Sequence, residues 1–541
     1  MGWWQNGQTV PATEPKAIEH ALWRLHRPVI LTRLKDGTGI SDTGTLTMGN
    51  NAPSDKKSYP VLGFCPPLLP SHLGDQTFCD LHGLRYAYVV GAMANGISSA
   101  SMVEAAGRAG LLAFFGAGGL SLSKIDAAIS HLQKCQDRHR FPFGFNLIHS
   151  PSDPALEMET VRLYLKRQVC LISASAFMDV TLPVAYFRIK GIHKNDDGKI
   201  IIPNHIVAKV SREEVARKFL SPPSDKIIDK LLRKEMITRT EADLAGHIPL
   251  ADDLSAEADS GGHTDNRPAI SLLPTLMVIR DEMTKYRDYQ RSPCVGLGGG
   301  IATPSSTAAA FAMGAAFVLT GSVNQACVEA ATSEAVRKML ADTRQADVVM
   351  APAADMFELG VKVQVLKRGT LFPLRARKLY DLYTRYDHYI DIPEGDRHWI
   401  ETDILKRSFE EEWKSTRDYF AKHDAGQLDR AEKSPRHQMA LVFRSYLGQA
   451  STWANTGKAS RQLDYQIWCG PAMGAFNEWT RGSFLADIQN RDIVTVANNF
   501  LFGAAVINRY QQLRNQGAPL PAESGQFKPL TLEQIQEFIK E

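Results

Sequence analysis

The chain has 541 residues and no apolar run near the ~18 residues that a membrane-spanning helix needs, so no membrane association is expected. It also has little surplus charge. Lys and Arg number 62 against 59 Asp and Glu, a net +3 that gives no global reason to expect nucleic acid as a partner. Cysteine is sparse and odd in number: seven, at 65, 79, 135, 170, 294, 327 and 469, never in a Cys-x-x-Cys pair. That excludes a disulfide framework and the usual zinc spacing, so reduced thiols and no metal are expected. The first residues, MGWWQNGQTVPATEPKAIEH, lack the basic start and apolar core of a secretory signal. Asn6 stands where a myristoylation motif needs Ser or Thr. The expected location is cytoplasmic.

Two nucleotide motifs are missing as well, although one segment is rich in glycine. In VGLGGGIATPSSTAAAFAMGAAFVLTGS, residues 295–322, no Gly-Lys-Ser/Thr follows the glycines, so a Walker loop is excluded. Counted from Gly296, the last position of G-x-G-x-x-G falls on Ile301, so a dinucleotide fingerprint fails too. What is present is a strand over 293–297, a glycine turn, and a helix capped by Thr303 with Pro304 in its first turn. Gly314 ends that helix, and a second buried strand over 316–320 leads to Gly321-Ser322. Glycines after a strand let backbone amides approach an anion, and a helix N-terminus adds positive potential. Two successive strand ends of this kind match the phosphate site after strands 7 and 8 of a (β/α)8 barrel. A ligand-free glycine turn is the other reading.

The rest of the chain favours the same architecture. Residues 1–65 read as a small element, a short amphipathic helix followed by a hairpin at Asp36-Gly37. From there to about 350 the pattern alternates: strands over 86–90, 111–115, one ending at Asn146, 168–177 and 205–210, with a helix over 98–109 and a hairpin at Asp197-Gly198. Such alternation predicts a parallel sheet, here an α/β TIM barrel over 66–350. Residues 351–541 are helical in period over 374–390, 404–449 and 484–516, which predicts a mostly helical C-terminal domain or lid, part of which can return to close the barrel.

Two further segments carry candidate chemistry. Gly91-Ala92-Met93-Ala94-Asn95-Gly96 follows the first strand and leaves room for a flat ring against backbone amides, or simply makes a tight turn. His263, after Gly261-Gly262 on an expected loop past strand 6, can donate a proton, bind phosphate, or face solvent.

Taken in order, GAMANGISSASMVEAAGRAGLLAFFGAGG, FGFNL, EADSGGH and the 295–322 segment resemble the flavin-binding barrels of the nitronate monooxygenase group. That group includes flavin-dependent enoyl-acyl-carrier-protein reductases. APAADMFELGVKVQVLKRGTLFPLRARKLYDLY and SRQLDYQIWCGPAMGAFNEWTRGSFL extend the resemblance to the separate enoyl reductase subunit of polyunsaturated fatty acid synthases, the PfaD family. The resemblance implies FMN against the backbone of Gly91, Ala92, Met93 and Ala94, with Asn146 bonded to the flavin and Gly261-Gly262 beside it. It implies the FMN phosphate on Gly298, Gly299, Gly300, Gly321 and Ser322, and His263 as the active-site histidine. Asp259 stands where related reductases carry Glu, and Thr264-Asp265 replaces an apolar-Gly pair.

The activity so implied is reduction of trans-2-enoyl-acyl-carrier-protein thioesters by NADPH or NADH through FMN, in polyunsaturated fatty acid or polyketide biosynthesis. The partners implied are acyl carrier protein domains of a multienzyme synthase, with a homodimer left open. Nitronate oxidation on the same flavin, or a non-catalytic flavin-binding scaffold, are the alternatives. Lys362, Lys367, Arg368, Arg375, Arg377, Lys378 and Arg385, against Asp381 alone, form a basic run suited to an acidic carrier or to a solvated helix face. YQIWCGPAMGAF, 465–476, suits either an acyl tunnel or ordinary core.

Overall fold

The computed structural model describes residues 2–6, 10–53, 57–150 and 153–540. Eight parallel strands close a barrel: β1 Tyr88–Val90, β2 Leu112–Phe115, β3 Gly144–Ile148, β4 Leu171–Ser175, β5 His205–Val210, β6 Asp253–Glu257, β7 Cys294–Gly298 and β8 Val318–Thr320. The sequence-based limits hold for β5. β3 continues two residues past Asn146, and β4 is shorter than the apolar stretch that predicted it. The helix after β1 spans Ala100–Arg108 and is capped by Ser99, whose side chain accepts from Met102 N.

Strand alternation divides the barrel interior into two zones. Val89, Leu112, Phe114, Leu171, Val207, Phe317 and Leu319 form an apolar plug. Phe78, on a helix Gln76–His82 that closes the bottom, stacks on Phe317 with ring centroids 4.2 Å apart. Charge at this end is paired: Asp253, fully buried, takes His82 Nε2 at 2.8 Å and Arg291 Nη2 at 2.7 Å. Toward the C-terminal ends of the strands the same inward positions turn polar, with Asn146, Ser173, Lys209, Ser255 and Glu257.

Seven outer helices follow β1 to β7 in the usual alternation, and the eighth does not follow β8 directly. The chain leaves the barrel after Thr320 and returns only with the helix Ile493–Asn515. That helix packs between Pro304–Ala312 and Ala100–Arg108, the place of the last outer helix. Its approach is close: a Cβ on Gly503 would stand 2.7 Å from Pro304 Cβ. The expectation that part of the helical tail closes the barrel is met by this helix.

The intervening segment contains a sheet of Val348–Pro352 and Lys362–Leu366 and a helical layer that includes Phe372–Arg385, Phe409–His423, Ala425–Lys433 and Pro435–Thr456. At the other end of the chain, Gly2–Gln5, Val29–Leu34, Gly37–Ser41, Thr45–Met48 and Tyr59–Cys65 form an antiparallel sheet whose hairpin turns at Lys35-Asp36. Arg509, buried on the returning helix, ties this sheet's neighbourhood down by donating to the carbonyls of Leu22, Arg24 and Arg27. Among the described residues no helix is long and apolar enough to cross a membrane.

Candidate functional site

The residues singled out in the sequence meet at the C-terminal face of the barrel. At the end of β1, Gly91 N donates to Thr320 O at 2.8 Å, which joins this strand end to that of β8. Ser98 Oγ donates to Gly91 O at 2.8 Å and accepts from Met93 N at 2.9 Å, so the turn is held from within. Asn95 takes a left-handed φ of 58°, and its N–H reaches Gly118 O at 2.7 Å. Gly116 backs the turn because no side chain fits there; a Cβ would lie 1.8 Å from Met93 O. The N–H groups of Ala92 and Ala94 donate to no protein group among the described residues.

Residues 295–322 have the strand, glycine turn, capped helix and second strand expected of them. Thr303 Oγ1 accepts from Ser306 N at 3.1 Å, and Ser306 Oγ accepts in turn from Ala302 N and Thr303 N, with Pro304 in the first turn. Gly299 and Gly300 have φ of 85° and 75°, and no hydrogen bond from their N–H groups, or from those of Gly321 and Ser322, reaches a protein acceptor among the described residues. A Cβ on Gly299 would stand 2.7 Å from Ala258 O, whereas Gly300 and Gly321 face open space. Undonated amides around open space at two strand ends suit the phosphate of a bound cofactor. The barrel mouth supplies the rest of the fit. Asn146 Oδ1, Ser173 Oγ and Ser255 Oγ are buried with no hydrogen-bond partner in the protein. Buried polar atoms are almost always paired, so three orphans on the inward faces of β3, β4 and β6 leave hydrogen-bonding capacity for a polar ligand. The polar ring edge and the phosphate of a flavin would suit the two sets.

His263 departs from its expected setting. It lies not on a free loop but on a short strand, Gly262–His263, paired antiparallel with Lys362–Leu366 so that His263 faces Val363 in register. Its Nε2 stands 3.2 Å from the Asp355 carboxylate. Partial burial works to raise the Asp355 carboxyl, but the hydrogen bond and charge of His263 outweigh it and hold it below the ordinary range. The imidazole is 39% exposed, open to an incoming molecule.

The two departures from the resemblance have structural partners. Asp259 accepts from Asn266 Nδ2 and Gln364 Nε2, both at 2.8 Å, so its carboxylate is held by two side-chain amides. Asp265 takes a bidentate Arg212 at 2.9 and 3.0 Å and Ser211 Oγ at 2.6 Å, which pins the loop to the end of β5. The Arg212 hydrogen bond leads the forces that bring its carboxyl down to about 2. The insertion clamps the loop from above. A Cβ on Gly261 would stand 2.9 Å from Cys469 N, and Gly470 N donates to Ser322 Oγ at 3.0 Å. The 465–476 stretch is accordingly core: Tyr465, Ile467, Cys469, Met473 and Phe476 are all buried. Sequence reading did not find Asp355, Gln364 or Lys209. Lys209 Nζ lies 3.2 Å from Glu257 Oε2, and it sits in an apolar-looking strand, HIVAKV, where its inward position at the strand end was the available signal.

The basic run is partly consumed by the fold. Arg375 pairs with the buried Asp464, Lys378 with Asp396 at 2.7 Å while lying over Trp399, and Arg368 with Asp347 at 3.5 Å. Lys362, Lys367, Arg377 and Arg385 are exposed and make no ion pair among the described residues.

Known proteins share this architecture. A family model described as nitronate monooxygenase matches residues 76–378. A second, described as acyl-carrier-protein S-malonyltransferase, inserted helical domain, matches 386–465, within the insertion. A polyunsaturated fatty acid synthase subunit of Thraustochytrium sp. (strain ATCC 26185 / S-3) is 43% identical over 456 residues, which are 83% of this chain and 30% of that protein. Polyketide biosynthesis protein PksE of Bacillus subtilis (strain 168) is 43% identical over 435 residues, 80% of this chain and 56% of that one. The chain thus spans less than two thirds of these curated relatives. The crystal structure of the enoyl reductase domain of MlnA, from the macrolactin biosynthesis cluster of Bacillus amyloliquefaciens, superposes with a TM-score of 0.76 at 38% identity. That match covers 82% of this chain and 99% of that domain.

Proposed function

The chain belongs to the nitronate monooxygenase family, and from that premise we propose that it is an FMN-dependent enoyl reductase acting on trans-2-enoyl thioesters carried by an acyl carrier protein, with NADPH or NADH as reductant. The observation that carries the reading is the likeness to an enoyl reductase domain, over 99% of that domain and 82% of this chain, joined to undonated amides and orphaned polar atoms at the barrel mouth that suit a flavin. When bound, FMN would supply hydride transfer from the nicotinamide to the thioester's β-carbon.

The chain's own residues bind, orient and protonate. The amides of Gly299, Gly300, Gly321 and Ser322 hold the phosphate, and Asn146, Ser173 and Ser255 meet the polar ring edge. His263 stands at the open side of the mouth as the donor to the thioester oxygen or α-carbon, and Asp355 positions its ring. A positioned donor of this kind contributes about 10²–10⁴-fold. The insertion packs at the edge of the mouth, with Cys469 against Gly261 and Gly470 N donating to Ser322 Oγ. Lys362, Lys367, Arg377 and Arg385 offer an acidic carrier a surface that internal pairing has left free.

The test is anaerobic stopped-flow on the yellow protein. Flavin reduced by NADPH should reoxidise rapidly on mixing with a trans-2-enoyl thioester, with saturated thioester formed. His263→Ala should slow that half-reaction by about 10²–10⁴-fold while leaving flavin content unchanged. Protein that binds no flavin, or reduced flavin that a thioester does not reoxidise but oxygen and a nitronate substrate turn over, would overturn the proposal.

A further inference from the structure

On the outer wall of the barrel, three side chains of different chemistry converge where no function has been placed. His131 and Cys135 lie one turn apart on the helix Leu122–Gln136, and Glu104 projects from the neighbouring helix Ala100–Arg108. Cys135 Sγ is 3.3 Å from Glu104 Oε2 and 3.6 Å from His131 Nε2, and His131 Nε2 is 3.4 Å from the same Oε2. Among the described residues this is the one group of three or more such side chains with its ligand atoms this close together.

The spacing has a specific meaning. Zn²⁺ takes sulfur at about 2.3 Å, imidazole nitrogen at about 2.0–2.1 Å and carboxylate oxygen at about 2.0 Å in a tetrahedron. Those lengths set the ligand-to-ligand edges at about 3.6 Å for S···N, about 3.5 Å for S···O and about 3.3 Å for N···O. The observed edges are 3.6, 3.3 and 3.4 Å. The three atoms form a triangle whose centre is about 2.0 Å from each, so an ion seated just above its plane meets all three at bonding distance. From these edges we propose that Glu104, His131 and Cys135 form a Zn²⁺ site, with water in the fourth position.

The surroundings fit. Arg108 Nη2 holds the other carboxylate oxygen, Glu104 Oε1, at 2.7 Å, which orients Oε2 toward the ion as outer partners of metal ligands do. One thiolate and one carboxylate neutralise the dication. Soft sulfur with imidazole selects Zn²⁺ over Mg²⁺ or Ca²⁺. The half-exposed His131 leaves an entry path. The site would staple together the two helices that start just behind the 91–99 and 116–121 turns of the barrel mouth. A search for Cys-x-x-Cys cannot find it, because the pair is His-x-x-x-Cys on one helix and the third ligand comes from the next.

The experiment uses tag-free full-length protein. Zinc binding is measured by equilibrium dialysis against a competing chelator, and Co²⁺ is titrated as a spectroscopic probe for a thiolate-to-metal charge-transfer band. Wild type should hold one Zn²⁺ per chain and show the band with Co²⁺. His131→Ala, at an exposed position that folding tolerates, should lower Zn²⁺ affinity at least about tenfold. Cys135→Ser should abolish the band, while Cys170→Ser, at an exposed thiol elsewhere, should keep it. Zinc affinity equal in wild type and His131→Ala, or a Co²⁺ band that is absent in wild type or moves with Cys170 instead, would overturn the proposal.

Discussion

Alanine at Gly321 separates a phosphate cradle from a mere turn. Nothing lies within 4 Å of a Cβ built there, and its φ lies outside the left-handed region. In the flavin-free protein Gly321→Ala should therefore be neutral or stabilising by about 0.4–1 kcal/mol, through the unfolded chain's lost freedom. The added methyl, however, occupies the space that the undonated amides surround. Displacing one hydrogen bond to a charged phosphate costs about 1.5–3 kcal/mol, equivalent to about 10–150-fold in affinity. Gly299→Ala is the contrast. There the methyl would meet Ala258 O at 2.7 Å on a backbone with φ of 85°, so folded-state strain of about 1–2 kcal/mol is added even without ligand.

The assay strips the flavin and titrates the apoprotein with FMN and with riboflavin, following flavin fluorescence, alongside thermal unfolding. Gly321→Ala should keep its apoprotein Tm, lose FMN affinity by that factor and bind riboflavin nearly as wild type does. Unchanged FMN affinity, or equal losses for FMN and riboflavin, would refute the assignment of this space to a phosphate.

Other outcomes follow from the charged groups. Arg188, wholly buried, grips Asp252 with two nitrogens at 2.6 and 3.0 Å and donates to Pro249 O and Asn204 O. Arg188→Met leaves that buried carboxylate with only His205 and the Ile206 N–H as partners and should cost about 3–5 kcal/mol. Spread over an unfolding entropy of about 2.1 cal/mol/K per residue, this is a Tm drop of only about 3–4 °C by calorimetry; an unchanged Tm would count against it. At the site loop, Asp265 is held at about 2 by its Arg212 hydrogen bond, below the ordinary carboxylate value of about 3.9. Its folded value being depressed, its stabilisation is fully present above about pH 4 and is lost as pH falls toward 2. Arg212→Ala should thus differ from wild type by a constant amount above pH 5, at most about 1 kcal/mol for so exposed a pair, and the gap should close on acidification. A gap that widens instead would mean that another group carries the loop.

The barrel and the strand, turn and helix of residues 295–322 were legible because each depends on local pattern. HIVAKV is apolar, short and bounded by turn signals, so its limits were found to the residue. The 295–322 segment carries its own caps and glycines. What escaped depends on contacts between distant residues. Asp355 meets His263 across 92 positions, and no periodicity encodes that. The basic run between 362 and 385 was overcounted for the same reason. A sequence shows a charge but not its partner, and Arg375 belongs to Asp464, 89 positions away. Cys135 was set aside by a spacing rule that looks along one strand of text, whereas its neighbours are gathered by two helices.

The eighth outer helix, arriving only at Ile493, also orders events during synthesis. When β8 emerges from a ribosome, the barrel has all its strands but an open seam between the Pro304–Ala312 and Ala100–Arg108 helices. At about 5–20 residues per second, the roughly 170 residues of the insertion take about 10–30 s to be made. For that interval the seam lacks the helix that covers it in the finished fold. Only after the insertion has emerged does the last outer helix take its place, so the insertion is made before the barrel is shut.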